Sequence, residues 1–160
     1  MDLLDERILD LFSANPHVGV LEASRRLSVA RGTVQARLDK LTASGVIRGW
    51  GPDVDPAALG YSVTAFVTLH IKQARGHDEL AIGLAAIPEV LEVHTVTGHG
   101  DMLCRIVAST NADLQRVIDA IVDVGGVERT ETMIALATVV PHRVRPLFTA
   151  DESGERQAPA

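Results

Sequence analysis

Between residues 21 and 50 the chain sets six basic side chains, Arg25, Arg26, Arg31, Arg37, Lys40 and Arg48, against two acidic ones, Glu22 and Asp39. Cations at that density suit phosphate oxygens, because each phosphate neutralised on a duplex releases condensed counterions. The chain as a whole carries a formal charge of −6, yet its distribution is uneven: residues 1–52 sum to about +1 and residues 53–160 to about −7. A short basic segment on an acidic body is an electrostatic footprint for nucleic acid. On charge alone, a solvated helix face explains the segment equally well.

A second group with chemical potential is Gly98-His99-Gly100-Asp101. Glycines let a backbone approach a ligand closely and present N–H groups to a carboxylate, while the Asp101 carboxylate can receive an ammonium group. The combination suits a free amino acid. A plain hairpin turn is the alternative, since Gly-x-Gly-Asp is ordinary turn chemistry. The remaining reactive side chains point nowhere in particular. Among the six histidines, His94 and His99 are five apart and His70 stands alone, with no H-x-x-x-H or C-x-x-C spacing, so no metal is expected. Cys104 is the single cysteine. It excludes an internal disulfide, lies among apolar residues and has no activating base nearby, so it reads as core. The Gly98-x-Gly pair precedes a strand rather than a helix and is no dinucleotide fingerprint. Asp113, Asp119 and Asp123 read as solvated helix faces. No cofactor and no catalytic residue are expected.

These groups need elements to hold them. Hydrophobic residues make up 46% of the 160 and aromatics 3%, so the core must be built from Val, Leu, Ile and Ala. No apolar run approaches the roughly 20 residues of a bilayer span. MDLLDER lacks the basic start of a secretory signal, and a reducing cytoplasm is the expected compartment. Leu4, Ile8, Leu11 and Phe12 mark one face of a first helix, with Asp2 as its N-cap and Asn15-Pro16 as its end. A second helix is expected over about 20–27 behind Gly19, and a third over about 30–43 with Val34, Leu38 and Leu41 on one face. Val46-Ile47-Arg48 is β-prone and suits a small strand or wing. Residues 51–61 read as a hinge.

Beyond the hinge the period changes. Val63 to Ile71 alternates as a strand; Leu80, Leu84 and Ile87 mark a helix stopped by Pro88; Leu91–Thr97 and Met102–Ala108 are strands around the glycine turn. Thr110 or Asn111 caps a helix with Leu114, Val117, Ile118 and Ile121 inward, and Glu128–Val139 is a fourth strand. This β-α-β-β-α-β order predicts a four-stranded antiparallel sheet with both helices on one face, the ferredoxin-like sandwich. The fold class is thus α+β, a winged helix-turn-helix followed by that sandwich. The other sheet face then needs a cover, and a second copy of the chain is the simplest one. The expected domains are 1–50, the hinge 51–61, the sandwich 62–142 and a tail 143–160, disordered toward its end.

Four stretches together resemble the leucine-responsive/asparagine-responsive (Lrp/AsnC, or feast/famine) regulators: LLDERILDLFSANP, RLSVARGTVQARLDKLTASGVIRGW, DPAALGY and TGHGD. Each is weak alone; their order and spacing are fairly specific, and the likeness covers the chain to about residue 140. The resemblance implies a regulator that binds double-stranded DNA, forms homodimers that assemble further, up to octamers, and takes a small effector, an amino acid, at Gly98, His99, Gly100 and Asp101. The DNA-reading helix would be the third. With Val34, Leu38 and Leu41 inward, its outer face holds Gly32, Ala36 and Asp39, flanked by Thr33, Gln35 and Lys40. Gly32 and Ala36 let the backbone approach the groove floor; Gln35 can pair with adenine, Thr33 with a thymine methyl or a phosphate, and Arg31 with guanine or phosphate. Arg25, Arg37, Lys40 and Arg48 are placed for phosphates.

The chain departs from the family's pattern where Ala30 replaces the usual Ser or Thr cap of the third helix, a loss of about 1 kcal/mol that Ser28 would offset in part. Gly32 weakens the first turn, and Trp50 stands for the usual Tyr. Two rival functions share the architecture. One is an enzyme of the sirohaem decarboxylase kind; the other is an interaction-only sensor with a vestigial DNA head.

Overall fold

Asp2 and Asp5 start the first helix by capping each other. The Asp5 backbone N–H donates to Asp2 Oδ1 at 3.0 Å and the Asp2 N–H donates to Asp5 Oδ2 at 3.1 Å, which satisfies two of the orphan donors at the helix end. From there the computed structural model, which describes residues 1–72 and 77–149, runs through α1 (Leu3–Ala14), α2 (Val20–Leu27) and α3 (Arg31–Ala43). It divides into two units, residues 1–52 with the segment from Val140 onward, and residues 53–139.

In the first unit Ile8, Leu9, Ala23, Leu27, Val34, Leu38 and Leu41 form one buried cluster. Gly19 caps α2 and Ser28 closes it in the left-handed region, at φ 56° and ψ 42°. That conformation commits Ser28 to the end of α2, so it does not compensate at α3. Ala30 occupies the N-cap of α3 with no side-chain hydrogen bond, as its methyl group requires. Residues 46–48 form no strand, contrary to expectation. No neighbouring strand offers a ladder there; instead the Ile47 N–H donates to the Leu41 carbonyl at 3.0 Å and its side chain packs on the helical core. Trp50 meets Phe12 edge to face, ring centres 5.5 Å apart, a favourable aromatic geometry. The unit is completed from the far end of the chain. A 3₁₀ turn (Arg145–Leu147) leads Phe148 onto the same cluster. Residues 150–160, which hold most of the tail expected to be disordered, lie outside the described residues.

In the second unit a 3₁₀ turn (Pro56–Leu59) precedes β1 (Val63–Ile71), α4 (His77–Ala85), β2 (Val90–Thr95), β3 (Met102–Ala108), α5 (Asn111–Asp123) and β4 (Val127–Ala135). The sheet order is β2-β3-β1-β4 with every neighbouring pair antiparallel, the ferredoxin-like sandwich. Alternation decides the faces. Ala65, Val67 and Leu69 of β1 and Met102, Cys104 and Ile106 of β3 are buried with Leu80 and Leu84 of α4 and Leu114, Val117 and Ile121 of α5. Thr110 caps α5 by accepting from the Asp113 N–H at 3.0 Å. Two strands end earlier than expected. β2 stops at Thr95, and β4 stops at Ala135 rather than Val139 because its partner β1 begins at Val63; the last pair in the ladder is Thr64 with Ala135. Leu136 beyond it is 97% exposed.

Candidate nucleic-acid and effector sites

The buried stripe of α3 consists of Val34, Leu38 and Leu41, which turns Gly32, Ala36, Asp39 and Lys40 to the outside. All four are exposed, as are Arg31 and Gln35, while Thr33 is half-buried. The outer face therefore has a small-residue centre over which backbone can approach a groove floor, edged by polar side chains. Arg25, Arg31, Lys40 and Arg48 are exposed and have no ion-pair partner among the described residues. Such free cations keep their full charge for phosphates. The neighbouring Arg26 is occupied by Glu22, 2.8 Å away one turn earlier.

Two expected DNA contacts look different in three dimensions. Gln35 Nε2 donates to Asp39 Oδ1 at 2.8 Å along the helix. The carboxamide keeps its oxygen and a second N–H, so this bond to Asp39 orients Gln35 rather than consuming it. Arg37, placed with the phosphate contacts by sequence, bonds to both Asp2, the N-cap of α1, and Asp5 in its first turn, the latter at 2.9 Å. Each aspartate thus uses one oxygen for the capping box and the other for the guanidinium. Asp2 is held below the usual carboxylate range, first by the Asp5 N–H and then by Arg37. Burial pushes Asp5 upward, but the Asp2 N–H and Arg37 outweigh it and the net shift is also down. Sequence reading found only Asp2, as a helix cap; no local signal joins it to Asp5 and to a residue more than thirty positions away.

In the second unit the glycine turn folds back over β1. Gly98 and Gly100 take φ of 106° and 125°, conformations that side chains rarely adopt. A Cβ on Gly100 would lie 2.3 Å from Thr68 Cγ2, so this position requires glycine on two counts. The Asp101 N–H donates to the Leu69 carbonyl, and Asp101 Oδ2 accepts from the Ile71 N–H, both at 2.9 Å. Asp101 therefore latches the turn to β1, and one oxygen of the carboxylate expected to face an ammonium is already engaged. The Gly100 amide is also engaged, at 3.1 Å on the Gly98 carbonyl. The amides of Gly98 and His99 have no hydrogen-bond acceptor among the described residues. Cys104 is fully buried and burial pushes its thiol up to about 11, in keeping with a packing role. Among the described residues no group of His, Cys, Asp or Glu is arranged to hold a metal ion, and no helix is long and apolar enough to cross a membrane.

The sheet face away from the helices carries Thr64, Phe66, Thr68 and His70 of β1 beside Leu103 and Arg105 of β3 and Met133 of β4. Met133, directly opposite Phe66, is 59% exposed.

A helix-turn-helix with a cation-edged third helix, followed by a βαββαβ sandwich, defines the class of helix-turn-helix transcription regulators. Residues 1–48 match the family model for a winged helix-turn-helix DNA-binding domain, and residues 64–145 match that for the Lrp/AsnC ligand binding domain. The chain is 36% identical over 138 residues to the HTH-type transcriptional regulator FL11 of Pyrococcus horikoshii, covering 86% of this chain and 91% of that protein. The solved structure of Escherichia coli AsnC superposes with a TM-score of 0.83 at 28% identity, over 91% of this chain and 99% of the other. The feast or famine regulatory protein of M. tuberculosis complexed with L-methionine shares the fold, with a TM-score of 0.81 at 24% identity over 89% of this chain and 97% of that one. The chain belongs to the Lrp/AsnC family of transcriptional regulators.

Proposed function

We propose that this regulator reads a specific DNA sequence with α3 and answers to a small molecule bound by its second unit. The observation that carries the reading is the outer face of α3: Gly32 and Ala36 at the centre, Arg31, Thr33, Gln35 and Lys40 around them, and unpaired cations at Arg25 and Arg48. In this reading Arg31 and Gln35 meet base edges, Thr33 a methyl group or phosphate, and Arg25, Lys40 and Arg48 set register on the backbone. A single head with so few cations binds weakly, so two heads joined in a dimer supply affinity. The open sheet face with Phe66, Leu103 and Met133 is the surface that pairs copies, and dimers associate further into rings as large as octamers. Residues 51–61 are the hinge between reading and sensing domains.

The effector is an amino acid whose carboxylate takes the open amides of Gly98 and His99, with Gly100 and Asp101 shaping the turn. Solved relatives of this fold were obtained with L-methionine, which supports that ligand class. Binding there changes dimer packing and with it the spacing of the heads. The site of action is the nucleoid.

The test is a gel-shift titration on sites selected from random duplexes, at low and moderate salt, with and without pooled amino acids. A salt-sensitive shift that changes with amino acids is the expected result. No shift at any salt, with the oligomer intact by light scattering, would remove the DNA reading.

A further inference from the structure

The guanidinium of Arg37 sits at the meeting point of the reading helix and the start of α1, and its surroundings are acidic. Its Nη1 bonds to Asp2 and, at 2.9 Å, to Asp5. All four carboxylate oxygens of the pair are spoken for: one from each aspartate caps α1 and one from each holds Arg37. The three groups together carry a net charge of −1. A phosphate approaching Arg37 therefore meets two carboxylates beside a single cation, and the side chain of Asp2 is 53% exposed on that surface. Among the described residues, Arg25, Arg31, Lys40 and Arg48 have no carboxylate within ion-pair distance. Asp5 is 3% exposed and anchored within the unit, so it cannot itself touch a duplex.

Arg37 also has the leverage to act on α3 as a body. Its neighbour Leu38 is buried in the helical core, and Val34, one turn earlier, is fully buried. A tie from Arg37 to α1 on one side of this stripe resists rotation of α3 about its own axis. The opposite ends of that rotation would exchange Thr33 and Lys40 for Gln35 at the outer face, since these flank it on either side. An uncapped start makes the helix more dependent on such a tie, because Ala30 supplies no side-chain hydrogen bond there.

We propose that Arg37 is a positioning residue for sequence readout: held by the Asp2–Asp5 capping box, it sets the rotation of the reading helix instead of binding a phosphate. The inference rests on α3 being the DNA-reading helix. It makes Asp2 and Asp5, at the start of α1, part of the specificity apparatus although Asp5 is too deeply buried to touch DNA.

The experiment compares full-length wild type with Arg37→Ala, Asp5→Asn, Asp2→Asn and Arg37→Ala/Asp5→Asn, by equilibrium binding to the selected site and to random duplex across a salt series. Circular dichroism melts identify any variant that fails to fold; Asp2→Asn, changed at an exposed group, keeps the comparison intact if Asp5→Asn does. A phosphate contact and a positioning tie differ in their readouts. A lost phosphate contact weakens every sequence alike and lowers the salt slope by about 1 per head. A lost tie leaves the slope unchanged and collapses the preference for the selected site, here by about tenfold or more, equivalent to one or a few mismatched contacts. The expected result is that collapse in Arg37→Ala, reproduced by Asp5→Asn or Asp2→Asn, with the double variant no worse than Arg37→Ala. A reduced slope in Arg37→Ala, with wild-type discrimination in the aspartate variants, would overturn the proposal. Absence of binding by wild type would instead overturn the DNA reading, and the proposal with it.

Discussion

Arg145 and Asp10 stand 135 residues apart in the chain, and Arg145 Nε donates to Asp10 Oδ1 at 2.6 Å. The pair fastens the C-terminal segment to α1, with Phe148 packed on the helical core three residues later. The two interactions are unequal. The ion pair is exposed to solvent on both sides and contributes little, whereas Phe148 removes an aromatic surface from water. Phe148→Ala in the full-length chain is expected to destabilise the first unit by about 2 kcal/mol, roughly half the cost of a fully buried ring because Phe148 is half-buried. Arg145→Ala should shift the melt far less. Thermal melts by circular dichroism decide it; coincident curves for Phe148→Ala and wild type would mean that the segment only rests on α1.

Acid should loosen the same unit through a different set of groups. Asp2 and Asp5 are both held below the usual carboxylate range in the folded chain. A depressed folded pKa contributes stability that is fully present above the unfolded value, about pH 4, and is lost as pH falls through the folded values. Wild type is therefore expected to lose stability as pH falls below about 4. Arg37→Gln removes part of the cause, so its deficit against wild type should be largest near neutrality and shrink in acid. Melts from pH 2 to 7 test this, and a deficit independent of pH would refute it.

The two glycines of the turn should respond differently to alanine. Both have positive φ, which costs a side chain about 1–2 kcal/mol. Only at Gly100 does the added methyl also strike Thr68, adding about 1–3 kcal/mol of overpacking. Gly100→Ala should be the more damaging of the two in urea unfolding of the second unit. Equal effects would show that Thr68 yields freely.

Cys104 offers an inert reporter on that unit. With the thiol buried and pushed up to about 11, on the order of 0.1% is ionised at pH 8 and none of it is accessible. A maleimide should leave the native protein unmodified and label it on unfolding. Rapid native labelling would contradict the packing of β3 against α4 and α5.

Local patterns made most of the fold legible. The 3.6-residue spacing of Leu4, Ile8 and Leu11 and of Val34, Leu38 and Leu41 marks helix faces; the alternation from Val63 to Ile71 marks a strand; Asp2 and Thr110 announce helix starts. Each rests on neighbours within a few residues, where side-chain direction follows from backbone geometry alone. Val46-Ile47-Arg48 misled for the same reason. Its β propensity is real, but a strand exists only where another strand offers hydrogen bonds, and here Ile47 found the helical core instead.

By itself, then, the sequence determined the two kinds of unit, the outer face of α3 and the glycine turn, because these depend on period and residue type. Tertiary structure alone decided which charges remain available. Arg37 and Lys40 are equivalent in sequence as cations of one helix, yet one is drawn to Asp2 and Asp5 and the other faces solvent. Asp101 likewise became a latch only once β1 lay beside its turn. An ion pair or hydrogen bond between distant residues depends on a few ångströms of separation, and no local pattern in the chain encodes that distance.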